Sequence, residues 1–358
     1  MTKLTSTKLT STTRTLSLGL FFAGLATVAG CSNNASQNDA ANNADDASND
    51  VATTNTTTNT PSDDVTKVVV GYNPAIVQPQ PLLGVTENEY SKRIAGVTFS
   101  GKEYKAGPDV IEALRAGVVQ IGSSGAYPAM KAYAGDGDIV LLCGAASGGT
   151  EISVLQSSPI QSVKDLRGKK IAVNQAGSTV DAMVRINLLK AGLRPDKDVQ
   201  IVEVEPPEQA EALKNGDVDA VAAPAPWPSD VQIKAKARPL LDWKAIYNGG
   251  NYLAGSIYTT KKFADAHPAF IQKFIAANRA LTDELNKDRV KSDARVLAAW
   301  SKVSKKTLAP DVAKRAFATI KYTSEANEAG LQSFADQSFK VGIARKKIDL
   351  KGFVVQAK

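Results

Sequence analysis

Two stretches of the chain set small hydroxylated residues between an apolar strand and a helix, a placement that suits the binding of an anion. Residues 169–183, KKIAVNQAGSTVDAM, run from a strand pattern through Ala-Gly-Ser-Thr into helical spacing. Ser178 is a good helix N-cap, and Asp181 three residues later completes an S-x-x-D capping pattern. The same turn offers free N–H groups at 177–180 and the hydroxyls of Ser178 and Thr179 to a small oxyanion. A helix terminus contributes about 0.3–2 kcal/mol to such a charge, and each hydrogen bond to it about 1.5–3 kcal/mol. Three bonds with modest apolar contact reach the roughly 8 kcal/mol of micromolar binding. A plain structural cap explains the turn equally well at this level. The second stretch, QIGSSGAYPAM, places Ser123 and Ser124 in the same kind of position. If the two turns lie in different lobes, they can face each other across a cleft.

Several signatures of catalytic, metal and nucleotide chemistry are missing. No G-x-x-x-x-G-K-[ST] and no G-x-G-x-x-G occurs, so neither phosphate-cradling loop is expected. The chain has one histidine, His267, before Pro268 at a helix start with nothing catalytic around it. Its two cysteines are Cys31 and Cys143, and Cys143 closes the apolar run DIVLLC as a core residue. No catalytic residue, metal ligand or cofactor is expected.

The elements that must position the two turns alternate. VTKVVVGY (65–72) reads as a strand, followed by a Pro- and Gln-rich irregular segment, a short helical pattern around 87–94 and a second strand at GVTFS. GPDVIEALRAG is a compact helix with Pro108 in its first turn and Gly117 beyond its end. Strand, helix and strand follow at VVQIGSSG, AYPAMKAYA and DIVLLCGAA, and a second block repeats the pattern from ISVLQ to DVDAVAA. Such alternation predicts α/β sheets with helices on their faces. From Lys262 onward the spacing is helical over 263–287, 290–303, 310–320 and 324–345.

The first residues read as a targeting signal. Lys3, Lys8 and Arg14 precede the apolar run Leu16–Leu25, which ends in Val28-Ala29-Gly30-Cys31. This resembles the lipobox of bacterial lipoproteins, which implies cleavage after residue 30 and lipidation of Cys31. Residues 32–64 are almost wholly Asn, Ser, Thr, Asp and Ala, a composition that cannot bury enough apolar surface to order itself. The expected layout is a signal peptide (1–30), a lipidated cysteine with a tether (31–64) and a globular body from 65. With the signal's three basic residues and the tether's six aspartates set aside, the body holds 40 basic and 30 acidic residues. That surplus draws in small anions. No basic stripe with interleaved aromatics is present, so nucleic acid is not an expected partner.

Four ordered stretches carry a family likeness. FSGKEYKAGPDVIEALRAGVVQIGSSGAYPA, SPIQSVKDLRGKKIAV, LKNGDVDAVAAPAPW and KKFADAHPAFIQKF resemble the extracytoplasmic solute-binding proteins of taurine, alkanesulfonate and nitrate ABC importers. The resemblance runs from about residue 66 to 285. It implies a two-lobed, periplasmic-binding-protein-like fold of type II with two crossings, near 150–155 and 253–258, and a helical C-terminal region. The lobes would be 65–152 with 256–358, and 153–255. It further implies a small organic anion, a sulfonate such as taurine or an alkanesulfonate, delivered to an ABC permease and its ATPase by a lipid-anchored monomer outside the cytoplasm. A nitrate or other anion receptor, a receptor for a thiamine-precursor pyrimidine, and a sensor partner are the alternatives. Carried over by motif, Asn73, Ser123, Ser124, Tyr127, Thr150, Glu151, Ser178, Thr179 and Trp227 would line the cleft. Glu151 would meet an ammonium group or serve as a hinge residue, and Tyr127 and Trp227 would wall the ligand's organic part. Where many relatives show Trp-Asp-Pro, this chain has Pro224-Ala225-Pro226, and residues 73–86 depart from the usual small apolar helix.

Overall fold

The structure, a computed structural model, describes residues 65–356; the expected signal, Cys31 and the whole tether lie outside the described residues. The first part of the chain supplies β1 (Lys67–Tyr72), β2 (Thr98–Glu103), β3 (Ile121–Ser124) and β4 (Ile139–Gly148). With them come the helices α1 (Pro79–Thr86), α2 (Glu89–Arg93), α3 (Gly107–Arg115) and α4 (Ala126–Asp136). The second part carries β5 (Glu151–Leu155), β6 (Lys170–Val173), β7 (Gln200–Glu203), β8 (Ala220–Ala223) and β9 (Ala237–Leu241). Its helices are α5 (Thr179–Lys190), α6 (Gln209–Asn215) and α7 (Trp227–Lys234). The remainder holds β10 (Leu253–Thr260), α8 (Lys261–Ala266), α9 (Pro268–Lys287), α10 (Arg289–Ser304), α11 (Pro310–Phe317), β11 (Ile320–Tyr322) and α12 (Glu328–Lys340).

The strands form two sheets, one per lobe. The first has six strands in the order β11-β4-β10-β3-β1-β2, and the second has five in the order β7-β6-β8-β5-β9. In the first, β1 runs parallel to β2 and β3, while β10 returns antiparallel between β3 and β4. In the second, β6 is parallel to β7 and β8, and β5 is antiparallel to β8 and β9. Each lobe therefore presents the carboxyl ends of parallel strands, the place where open α/β sheets receive ligands.

The chain crosses between sheets twice, from β4 to β5 and from β9 back to β10. The first crossing is Gly148-Gly149-Thr150. Both glycines have φ near +80°, and a Cβ would lie 2.4 Å from the Thr319 carbonyl at Gly148 and 2.6 Å from Ile320 at Gly149. Only glycine meets both demands.

Three elements differ from the sequence reading. The Pro- and Gln-rich segment folds into α1, because Pro79 and Pro81 sit in its first turn, where no N–H is required, and Leu82 and Leu83 are fully buried. The helix expected to 320 stops at Phe317, and Ile320–Tyr322 instead adds a strand to the edge of β4 with buried, exposed, buried alternation. A strand not anticipated, β9, forms the half-exposed edge of the second sheet. The C-terminal helices serve both lobes: α10 packs on α1, whereas α11 packs on α7. Among the described residues no helix is long and apolar enough to cross a membrane.

Candidate functional site

The two turns singled out in the sequence meet. Ser178 caps α5, its Oγ accepting the Asp181 N–H at 3.2 Å and donating to Asn174 Oδ1 at 2.9 Å. One residue on, Thr179 Oγ1 accepts the backbone N–H of Tyr127 at 3.0 Å, so the first turn of α5 in one lobe satisfies a donor of α4 in the other. A Cβ at Gly125 would lie 2.3 Å from Thr179 Oγ1, so this approach also needs the glycine at the start of α4. Gln175 Nε2 donates to Asp109 Oδ1 across the lobes at 2.9 Å, and Lys105 pairs with Glu205 at 2.8 Å.

Between these contacts lies a small inner chamber of about 30 Å³. Asn73, Ser124, Thr150, Asn174, Ser178, Thr179 and Pro224 line it. Asn73 follows β1, Ser124 ends β3, Asn174 follows β6 and Pro224 follows β8, so four strand ends converge there. No charged side chain is among its lining residues. What it presents is donors. Asn73 Oδ1 is occupied by Gln78 Nε2 at 2.5 Å and Asn174 Oδ1 by Ser178, which leaves both Nδ2 amides available. Thr179 has spent its acceptor on Tyr127, and its hydroxyl hydrogen finds no acceptor among the described residues. The backbone N–H groups of Thr179 and Val180, in the first turn of α5, are likewise without a protein acceptor. Neutral donors around a cavity at a helix N-terminus suit an oxyanion. Asp181 in that first turn is held by the Gly177 N–H at 2.8 Å and by Arg185 at 2.7 Å; burial is the largest influence on it and pushes its carboxyl up.

The other residues named from the sequence are placed differently. Ser123 is fully buried and donates to the Ser256 carbonyl at 3.0 Å, tying β3 to β10. Ser124 Oγ lies 2.6 Å from Tyr258 Oη and donates to the Gly125 carbonyl at 3.1 Å, so its hydrogen is spent although it lines the chamber. Thr150 gives its backbone N–H to Tyr252 Oη at 2.9 Å. Tyr127 stands edge-on to Phe334 of α12, away from the chamber, in a narrow gap that Met183 also lines. Trp227 lines a larger outer chamber of about 480 Å³ that shares Asn73, Asn174 and Pro224 with the inner one. Cys31 lies outside the described residues. Asn174 was not anticipated; its position directly after a strand is the signal that would have found it.

Glu151 lines neither chamber. Its Oε2 accepts from Gln232 Nε2 at 2.5 Å, and the side chain is 7 % exposed. Burial pushes its carboxyl above the ordinary range, with Gln232 acting in the opposite sense. The folded chain therefore holds this proton more tightly than the unfolded chain, and stability falls as pH rises from the ordinary glutamate range through the raised value. Glu151→Gln removes that penalty, since Gln232 can turn its amide over to accept. The variant is expected to melt above the wild type at neutral pH, with the gap closing in acid and ligand affinity unaffected. Melting curves from pH 4 to 8 check this, and a variant less stable than wild type at pH 7 contradicts it.

Comparison with known proteins gives the same picture. The chain is 28 % identical over 268 residues to a protein of Escherichia coli named for aliphatic sulfonate binding, a match covering 73 % of this chain and 80 % of the relative. It is 27 % identical over 188 residues to the taurine-binding periplasmic protein of the same organism, covering 52 % of this chain and 57 % of that one. In three dimensions it superposes on the alkanesulfonate-binding protein of Xanthomonas axonopodis pv. citri bound to MOPS, with a TM-score of 0.68 at 24 % identity over 82 % of this chain and 99 % of that one. These relatives are named for the solutes they bind. The NMT1-like family pattern matches residues 62–300, which hold both sheets apart from the edge strand β11 and every donor of the inner chamber; the chain belongs to the NMT1-like family.

Proposed function

We propose that this chain is the solute-binding component of an ABC importer and captures a small organic sulfonate in the cleft between its lobes. The observation that carries the reading is the inner chamber, where Asn73 and Asn174, each just past a strand end, and the first turn of α5 aim neutral donors at one small volume without a charged residue. A sulfonate spreads one charge over several acceptor oxygens, which matches donors arriving from both lobes. Its hydrogen bonds form only when the lobes are together, so binding drives closure, and closure is the event a permease reads. The sulfonate-binding relatives support this ligand class. Asn73, Asn174, Thr179 and Val180 hold the anion, Ser178 orients Asn174, and Trp227 borders the organic part. The lobes comprise 65–152 with 256–358, and 153–255, to within the two or three residues by which β5 and β10 begin earlier. Cys31 carries the lipid, and residues 32–64 tether a monomeric body outside the cytoplasm.

A thermal-shift screen of the full chain tests the ligand class with sulfonates, nitrate, phosphonates, carboxylates and pyrimidines. A sulfonate at a hundred times its Kd is expected to stabilise the chain by about 2.7 kcal/mol. A shift with a neutral pyrimidine and none with any anion sinks the proposal.

A further inference from the structure

The C-terminal helix α12 touches both lobes at a distance from the inner chamber, and its own moorings are in the first lobe. The chain before it adds β11 to the edge of β4, and Thr323 donates its N–H to the Ala145 carbonyl at 3.1 Å. The chain after it returns to the same strand, where Leu141 donates to the Phe353 carbonyl and accepts the Val355 N–H, each at 2.8 Å. Gln332 ties the helix to that returning segment. Its amide donates to the Ile348 carbonyl at 2.9 Å and accepts the Leu350 N–H at 3.0 Å.

From this base α12 packs against α5 of the second lobe. Phe334 stands edge-on to two rings, Tyr127 of α4 at 5.7 Å and Tyr247 at 4.9 Å between centroids. Tyr247 is held by the second lobe: Lys190 of α5 lies 5.7 Å from its ring centre, and the neighbouring Ile246 carbonyl accepts Asn187 Nδ2 of α5 at 2.9 Å. The Tyr247 hydroxyl lies 3.2 Å from Ser333 Oγ of α12. Asn327, the N-cap of α12, donates to Asn251 Oδ1 at 3.0 Å, within the second crossing. The three rings are at most 6 % exposed. The gap that Phe334 and Tyr127 share with Met183 and Thr179 holds only about 10 Å³.

We propose that α12 is an interlobe strap, with Phe334 and Tyr247 as positioning residues that favour closure and slow ligand release without touching the ligand. Opening carries α5 and Tyr247 away from a helix that is fastened to β4. The Phe334–Tyr247 ring pair and the Ser333–Tyr247 contact are then broken, and the apolar surface they bury returns to water. A ligand in the inner chamber leaves only from the open form, so each contact that opening breaks lengthens its stay.

Hydrogen exchange of the full, unliganded chain reads opening directly. The Tyr127 N–H lies in the first turn of α4, where no helical acceptor exists, and Thr179 of the other lobe protects it. Tyr247→Ala and Phe334→Leu are expected to speed exchange at Tyr127 roughly 3- to 10-fold, while the interior amides of β3 change less. Tyr247→Phe loses only the Ser333 contact; it should fall between these variants and the wild type, and it decides the matter if they fold poorly. A wild-type rate at Tyr127, or equal acceleration at Tyr127 and in β3, overturns the strap. In stopped-flow measurements the release of propane-1-sulfonate should quicken by a similar factor, and an unchanged release rate overturns the hold on the ligand. That second reading rests on the assignment of the inner chamber to a sulfonate. Absence of binding by the wild type refutes that assignment, and the exchange rates still decide the strap.

Discussion

Thr179→Val is expected to weaken sulfonate binding by roughly 10- to 100-fold, the loss of one hydrogen bond to a charged group at about 1.5–3 kcal/mol. The substitution keeps the shape of a side chain that is 8 % exposed and removes only its hydroxyl. That hydroxyl has a double duty that fixes its hydrogen. The oxygen accepts the Tyr127 N–H from the opposite lobe at 3.0 Å, so the hydrogen must point elsewhere, and the inner chamber is the space it borders. The variant therefore loses a donor to the ligand and also a bond that holds the lobes together. The unliganded chain should lose little stability, because Tyr127 N–H can meet water when the lobes part. Thr179→Ser keeps the hydroxyl and should restore most of the affinity. Titration calorimetry with a sulfonate, beside melting curves of the free proteins, separates the two effects. A wild-type Kd in Thr179→Val means the hydroxyl does not reach the ligand.

Trp300→Ala should be the most damaging single change for the fold near the site. Trp300 is fully buried, stands edge-on to Trp227 with centroids 5.6 Å apart, and donates its indole N–H to the Pro74 carbonyl at 3.1 Å. Removing a buried indole costs about 3–5 kcal/mol, and the Pro74 carbonyl loses its partner besides. For a chain of this size a fall in Tm of roughly 10 °C is expected. Binding should suffer as well, since Pro74 adjoins Asn73 and Trp227 borders the outer chamber. Trp300→Phe distinguishes the two contributions: it retains most of the packing but not the hydrogen bond. It should lose less stability than Trp300→Ala and still bind sulfonate more weakly than the wild type. Wild-type affinity in Trp300→Phe would show that the Pro74 anchor is unimportant for Asn73.

Much of the site could be read from the chain because its parts are local. An N-cap is written within four residues, so Ser178, Asp181 and the helix after them were legible, and the Ser178 bond to the Asp181 N–H is present. The anion-suited turn at 177–180 follows from the same local geometry. Glu151 shows the limit. An acid beside a crossing looks suited to an ammonium group, but whether it turns to the cleft or into its own lobe depends on Gln232, distant in sequence, whose amide meets it. Ser123 and Ser124 are neighbours in one strand and both meet β10, Ser123 at the Ser256 carbonyl and Ser124 at the Tyr258 hydroxyl, but the pleat puts only Ser124 on the face that borders the chamber. The Pro- and Gln-rich segment was misread for a similar reason. Its spacing is poor for a helix, and α1 forms because Leu82 and Leu83 are buried by the tertiary fold and the Gln80 amide finds partners in β4 and α9.

The sequence by itself determined the alternation of strands and helices, the two glycine-flanked hydroxyl turns, the basic body and the lack of phosphate-loop motifs, because each of these is a property of composition or of residues within a few positions. Tertiary structure alone decided what faces the inner chamber. Only the approach of the two lobes at their strand ends brings Asn73 and Asn174 together, spends the acceptor of Thr179 on Tyr127, and leaves its hydrogen without a protein acceptor among the described residues. Only that closure gathers Glu103, Asp109 and Glu205 from both lobes at one mouth. A hydrogen bond has a direction and a partner, and partners separated by fifty or a hundred residues are chosen by the fold, not by spacing along the chain.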